Sequence, residues 1–136
     1  MDWKGNIGAD GVTIAFDSYG ETKQVELVRE RYTDNGKMAV LAYLSDPADE
    51  DFGELWADVT VNLDCAAQHD GTVLLDTNNM GKELLDEVMR LGAATGGSVR
   101  SGFCSYPVFA FDADVVRSMR DTEEFYEALE AIYGGE

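Results

Sequence analysis

Basic residues are scarce in this sequence. Its 136 residues carry 10 Lys and Arg against 27 Asp and Glu, a formal net charge of −17 at pH 7. A surface so short of cations repels nucleic acid and anionic lipid, which excludes both as direct partners. Histidine is scarcer still. His69 stands alone, and Cys65 and Cys104 are far apart in sequence, so the ligand spacing of a zinc site is missing. No apolar run approaches the roughly 20 residues that cross a bilayer as a helix. The N-terminal Met1-Asp2-Trp3-Lys4-Gly5 lacks the basic-then-apolar pattern of a signal peptide, so a cytoplasmic setting is expected. Both cysteines lie in apolar surroundings and are expected to be reduced and packed.

The motifs of common chemistries are missing as well. A calcium loop started at Asp49 has Asp51 at its third place, but Gly53 falls at the fifth and Thr60 at the twelfth, where glycine six and glutamate twelve are needed. Ser101-Gly102-Phe103-Cys104-Ser105-Tyr106-Pro107 superficially resembles a nucleophile turn but lacks the G-x-S-x-G spacing. Gly92 to Gly97 follows a helical segment, the wrong end for cradling a phosphate. Carboxylate pairs are so numerous that they single out no acid/base couple. No catalytic residue, metal ligand or cofactor is assigned on these grounds. A small hydrolase-like enzyme using Cys104 or a serine with His69 is the weakest alternative.

What the chain does have is core material. Apolar residues make up 45%, with six Phe, six Tyr and two Trp, enough for one folded domain over residues 1–136. Period-two alternation marks strands at Val12–Phe16, Gln24–Tyr32 and Met38–Leu44, with Asn35-Gly36 as a hairpin turn. Leu55, Ala57, Val59, Val61 and Leu63 alternate with Trp56, Asp58, Thr60 and Asn62, which predicts a strand with the first set facing the core. Thr72–Leu75 and Val99–Phe111 are two further strands.

From Gly81 to Leu91 the period becomes helical, with Leu84, Val88 and Leu91 on one stripe and Gly92 as the stop. Asp112 begins a short helix through Met119. Asp121 caps the last helix with Glu124 reaching back; Phe125, Leu129 and Ile132 form its core stripe, and Glu123, Glu127 and Glu130 lie on another side. The expected fold is α+β: an antiparallel sheet of about five or six strands with two to three helices covering one face.

The acids are concentrated. Between Met38 and Met89 there are twelve, with Lys82 as the one base. Asp46, Asp49, Glu50, Asp51 and Glu54 form a tongue between two strands; Asp58 follows on the next strand, and Glu83, Asp86 and Glu87 lie on the helix. Trp56, placed outward beside Asp58, is the candidate anchor of an interface. Asp76-Thr77-Asn78-Asn79-Met80 offers amides and a hydroxyl that serve either a polar ligand or the local backbone.

Three segments, Arg29 to Gly36, Asp76 to Asn79 and Arg100 to Pro107, are similar to an uncharacterised family of small acidic proteins associated with conjugative and other mobile elements of gut bacteria. The resemblance covers roughly residues 25 to 111 and brings no activity, cofactor or site residue with it. It implies a setting in which small acidic proteins block host defence by imitating DNA. The leading expectation is therefore a non-enzymatic protein that binds a basic, nucleic-acid-binding partner, with carboxylates in place of phosphates. The rival is an assembly module that recognises its partner through Trp56 and sheet edges, with the acidity serving solubility alone.

Overall fold

A computed structural model of the chain describes residues 5–8, 11–33, 36–63 and 72–133. The period-two segments form a meander: β1 (Gly5–Gly8), β2 (Gly11–Ser18), β3 (Glu21–Arg31), β4 (Met38–Leu44) and β5 (Leu55–Asp58), each antiparallel to the next. The β2–β3 turn uses positive φ at Tyr19 (49°) and Gly20 (83°), the conformation that matches the right-handed twist of the two strands. Asp34 and Asn35 lie outside the described residues. Beside them Gly36 has φ +70° and donates its N–H to the Tyr32 carbonyl at 2.8 Å.

A second antiparallel sheet, ordered β6-β8-β7, joins β6 (Val73–Leu74), β7 (Gly92–Ser101) and β8 (Cys104–Phe111). This corrects the expectation of one sheet. The reason lies at Val59 to Val61, where the backbone serves both sheets in turn. Val59 N–H donates to Val40 at 3.0 Å, the Val59 carbonyl accepts from Asp76 at 2.9 Å, and Val61 N–H donates to Leu74 at 2.9 Å. One apolar core spans the junction, with Ile14, Leu27 and Val40 from the larger sheet and Leu75, Phe109 and Phe111 from beside or within the smaller.

The segment expected to be one strand over 99–111 is a hairpin turning at Gly102, whose φ is +62°. Its first strand begins at Gly92, which was expected to stop a helix. A Cβ there would lie 2.1 Å from the Ala110 carbonyl, so close backbone approach explains this glycine. The β7 segment escapes a periodicity search because Gly, Ala and Ser fill it and most of it is exposed.

The helices are α1 (Thr77–Met80), α2 (Lys82–Met89), α3 (Ala113–Ser118) and α4 (Thr122–Tyr133). As the helical spacing predicts, Leu84, Val88 and Leu91 are buried, and they join the main core. The capping box is formed as well. Glu124 N–H donates to Asp121 Oδ1 at 2.8 Å, and Asp121 N–H donates to Glu124 Oε1 at 3.1 Å.

Helices cover both faces of the larger sheet, where one face was expected. Val25 and Leu27 of β3, with Val40 and Ala42 of β4, point to the core shared with α2 and α3. The alternate residues Val28, Leu41 and Tyr43 point the other way, onto Phe125 and Leu129 of α4. Burying a side chain such as Phe125 contributes about 2–3 kcal/mol, enough to hold α4 there. Among the described residues no helix is long and apolar enough to cross a membrane.

The alternation from Leu55 to Leu63 holds only in its middle. Ala57 and Val59 are buried, but Leu55 is 51% exposed, and Val61 and Leu63 are half-buried. A bulge between Ala42 and Tyr43 places Tyr43 opposite Leu55 and Ala42 opposite Ala57. Trp56 is the extra residue, and it turns inward onto the main core. Thr60, expected to face outward, is buried. Its hydroxyl pairs with Tyr32 Oη at 2.8 Å and accepts from Val40 N–H at 3.1 Å.

Candidate binding cleft

Trp56 stands at the wall of a cleft of about 440 Å³ between the β2–β3 turn and the α1–α2 corner. Phe16 packs against it, ring centres 5.6 Å apart and planes 60° apart. Asp17 and Tyr19 come from the turn, Asn78 and Asn79 from α1, and Glu83 from the first turn of α2. Tyr19 is fully exposed and is the one non-glycine residue with positive φ among those described. The tight turn holds that phenol out in water. Gly81, with φ +77°, makes the corner that sets Glu83 beside α1.

The acidic tongue is tied to Trp56 through one lysine. Lys23 Nζ lies 3.0 Å from Asp49 Oδ2 and 6.0 Å from the centre of the Trp56 ring. The hydrogen bond from Lys23 also reaches its own titration: Asp49 raises the lysine's pKa above its ordinary value. Asp49 moves the other way, below the usual carboxylate range, chiefly because the Asp51 N–H donates to it and then because of Lys23. Asp46 accepts from the Ala48 N–H at 2.9 Å. These two tongue acids hold local structure, whereas Glu50, Asp51 and Glu54 are exposed. At its far end the tongue leans on α4, where Gly53 faces Leu129.

The remaining acids divide by helix and strand. Glu83 enters the cleft; Asp86 pairs with Lys82 at 2.7 Å; Glu87 lies 3.7 Å from Arg90, with its other oxygen buried and unpaired. Asp58 is half-buried near Asp76. Desolvation first, then the charge of Asp58, raises the Asp76 pKa.

Behind α1 two of the segments singled out in the sequence meet. Asn78 Nδ2 donates to Cys104 Sγ at 3.1 Å, and Leu75 N–H donates to the Pro107 carbonyl at 3.1 Å. Tyr106 bonds the same sulfur, which raises the phenol's pKa. Cys104 is a free thiol, half-buried, and its two side-chain partners are an amide and a phenol. Neither is a base able to take its proton at neutral pH. Cys65 and His69, with Asp64 and Asp70, lie outside the described residues. Among the described residues, no three His, Cys, Asp or Glu side chains gather as a metal site.

The structure thus brings Trp56 and Glu83 into one cleft and leaves Asp86 and Glu87 on α2 outside its lining. Phe16, Asp17 and Tyr19 were not singled out from sequence, because a hairpin turn ending in Gly20 reads as structural. The family model for a domain of unknown function, DUF4313, matches residues 26–131. The chain belongs to this family. Neither a curated protein nor a solved structure matches it. The DUF4313 segment runs from the middle of β3 through most of α4, and so holds Trp56 and the α1–α2 wall of the cleft, while the β2 residues precede it.

Proposed function

We propose that this DUF4313 protein is a non-enzymatic acidic binding module that takes a basic segment of another protein, with Trp56 as its anchor. The observation that carries this reading is the cleft itself, where an aromatic wall of Trp56 and Phe16 meets Asp17, Glu83 and the amides of Asn78 and Asn79. An aromatic face rimmed by carboxylates suits a Lys or Arg side chain, through cation–π attraction and charge-assisted hydrogen bonds. The surrounding charge of −17 speeds the encounter with a basic partner.

A second reading has the acids stand in for DNA phosphates in the groove of a nucleic-acid-binding protein, in line with a mobile-element origin. Its support is the exposed run of Glu50, Asp51 and Glu54. Asp46 and Asp49 are engaged within the tongue, which favours the cleft.

The test is a titration with an arginine- and lysine-rich peptide, followed by backbone amide NMR shifts. The cleft reading expects saturable shifts around Trp56, Asn78 and Glu83, and a loss of about tenfold in affinity in Trp56→Ala and in Glu83→Gln. The mimic reading expects that loss from joint neutralisation of Glu50, Asp51 and Glu54. Shifts that spread evenly over the surface and vanish by about 0.3 M salt would sink both readings, leaving only general charge attraction.

A further inference from the structure

The far end of β3, away from the Trp56 cleft, carries a second cavity. Arg29 N–H donates to the Arg120 carbonyl at 3.0 Å, and the backbones of Arg29 and Asp121 pair as a one-residue parallel β-bridge, which pins the α3–α4 junction beside the strand. Between them opens a pocket of about 360 Å³, lined by Arg29, Glu30, Arg31, Met38, Val116 and Asp121. That size suits a small molecule of a dozen or so heavy atoms.

Its charged groups are unequally satisfied. Arg31 Nη1 donates to the Gly36 carbonyl at 2.7 Å. Glu30 Oε1 accepts from the Arg31 N–H at 3.2 Å, and Asp121 Oδ1 accepts from the Glu124 N–H at 2.8 Å. Arg29 Nε has no partner, although that atom is buried. Buried donors in native proteins are nearly always paired, and an orphan calls for an explanation. Here the orphan belongs to one of only ten Lys and Arg in the chain, and a second of the ten lines the same pocket. The rest of the lining includes two apolar side chains, Met38 and Val116, both partly buried against the main core.

We propose that this pocket binds a small monocarboxylate with an apolar body. The carboxylate pairs with the Arg29 guanidinium, whose Nε turns out of its buried position to donate, and the apolar part rests on Met38 and Val116. A planar carboxylate matches the guanidinium edge. A phosphate dianion carries twice the charge past Glu30 and Asp121 in a protein of net charge −17, so the monoanion is preferred.

The probe is N-acetyl-L-leucine titrated into the full chain and followed by backbone amide NMR. Saturable shifts at Arg29, Arg31, Met38 and Val116 are expected below about 20 mM, with N-acetyl-L-leucinamide giving none and inorganic phosphate binding at least about tenfold more weakly. Arg29→Gln should weaken binding by about tenfold or more. Val116→Phe fills the apolar side of the cavity while keeping Arg29, and it should also lower affinity. It decides the matter if Arg29→Gln does not fold. The proposal is overturned if the amide binds as well as the acid, if both variants bind like the parent, or if none of these residues shifts.

Discussion

Arg120 grips Glu26 across 94 positions of sequence. Arg120 Nε donates to Glu26 Oε2 at 2.8 Å, and Nη2 donates to Oε1. Glu26 is 1% exposed, a charge in the middle of β3 that faces the α4 side of the sheet. Gly11 completes the lock: its φ is +96°, and a Cβ there would sit 2.5 Å from Glu26 Oε2. The start of β2, the middle of β3 and the α3–α4 junction therefore meet at this ion pair.

Breaking that pair on one side strands a buried carboxylate. Arg120→Met should cost about 3–5 kcal/mol in urea unfolding. Adding Glu26→Leu should restore most of the loss, because a buried ion pair is worth little more than apolar residues of similar volume. A double variant no better than Arg120→Met alone would show that the arginine's role is something other than matching Glu26.

Glu26 also shows where sequence reading stops. Neighbours Val25, Leu27 and Val28 are all buried, so the strand was legible, but its partner lies on a distant turn that no periodicity reveals. The α2 stripe and the Asp121–Glu124 cap were readable because they are local, encoded within one or two turns of helix. The side on which α4 packs was not, since Val28 and Tyr43 are as apolar as Leu27 and Ala42 on the opposite face. Trp56 was wrongly aimed, because a one-residue bulge reverses the face of every side chain beyond it. Half the cleft was invisible for a similar reason: Tyr19 and Asn78 are far apart in the chain and meet only when the β2–β3 turn reaches the α1–α2 corner.

Asp76 gives a pH dependence of definite sign. Its folded pKa is raised by desolvation and then by Asp58, so ionisation works against the folded state. Below the unfolded pKa the group contributes nothing. As pH rises through the raised folded pKa, the full penalty appears and persists at neutrality. Asp76→Asn keeps an acceptor for the Asn78 and Asn79 amides and should raise stability at pH 7. The group is half-buried and still touches solvent, so the gain is about 0.5 kcal/mol or less. Thermal melts should show the gain at pH 7 and its disappearance near pH 3; a gain that persists in acid points to packing instead of charge.

Tyr43 should govern the alkaline limb. It lies under α4 with its ring 4.8 Å from that of Phe125, and burial, then its hydrogen bond with Tyr126, pushes its pKa to about 12. The unfolded phenol ionises near pH 10, so between about 10 and 12 the unfolded state sheds a proton that the folded state keeps. Stability therefore falls as pH rises through that window, by up to about 2 kcal/mol from this group. Tyr43→Phe should be less stable at pH 7 by about 1 kcal/mol for the lost hydrogen bond, yet show a flatter decline above pH 10. Parallel curves for the two proteins would mean that Tyr43 ionises as readily folded as unfolded.

Lys23 is the hinge between the tongue and the cleft, through Asp49 on one side and the Trp56 ring on the other. In a Trp3→Phe background, Trp56 is the sole indole and reports on this junction. Lys23→Met keeps an apolar stem near the ring but removes the charge that holds Asp49. Trp56 emission should change, and the amides of Asp49 to Glu54 should exchange faster with solvent, while the melting of the two sheets stays close to that of the parent. The same change should follow acidification of the parent. Asp49 has a depressed pKa, so its bond to Lys23 is complete above the ordinary carboxylate pKa and fails as pH falls through the lowered one. The emission change should accordingly come at lower pH than an ordinary carboxylate would give, and should be absent in Lys23→Met. An acid transition of the same size and midpoint in that variant would place the sensor elsewhere, with Asp17 and Glu83 in the cleft as the next residues to substitute.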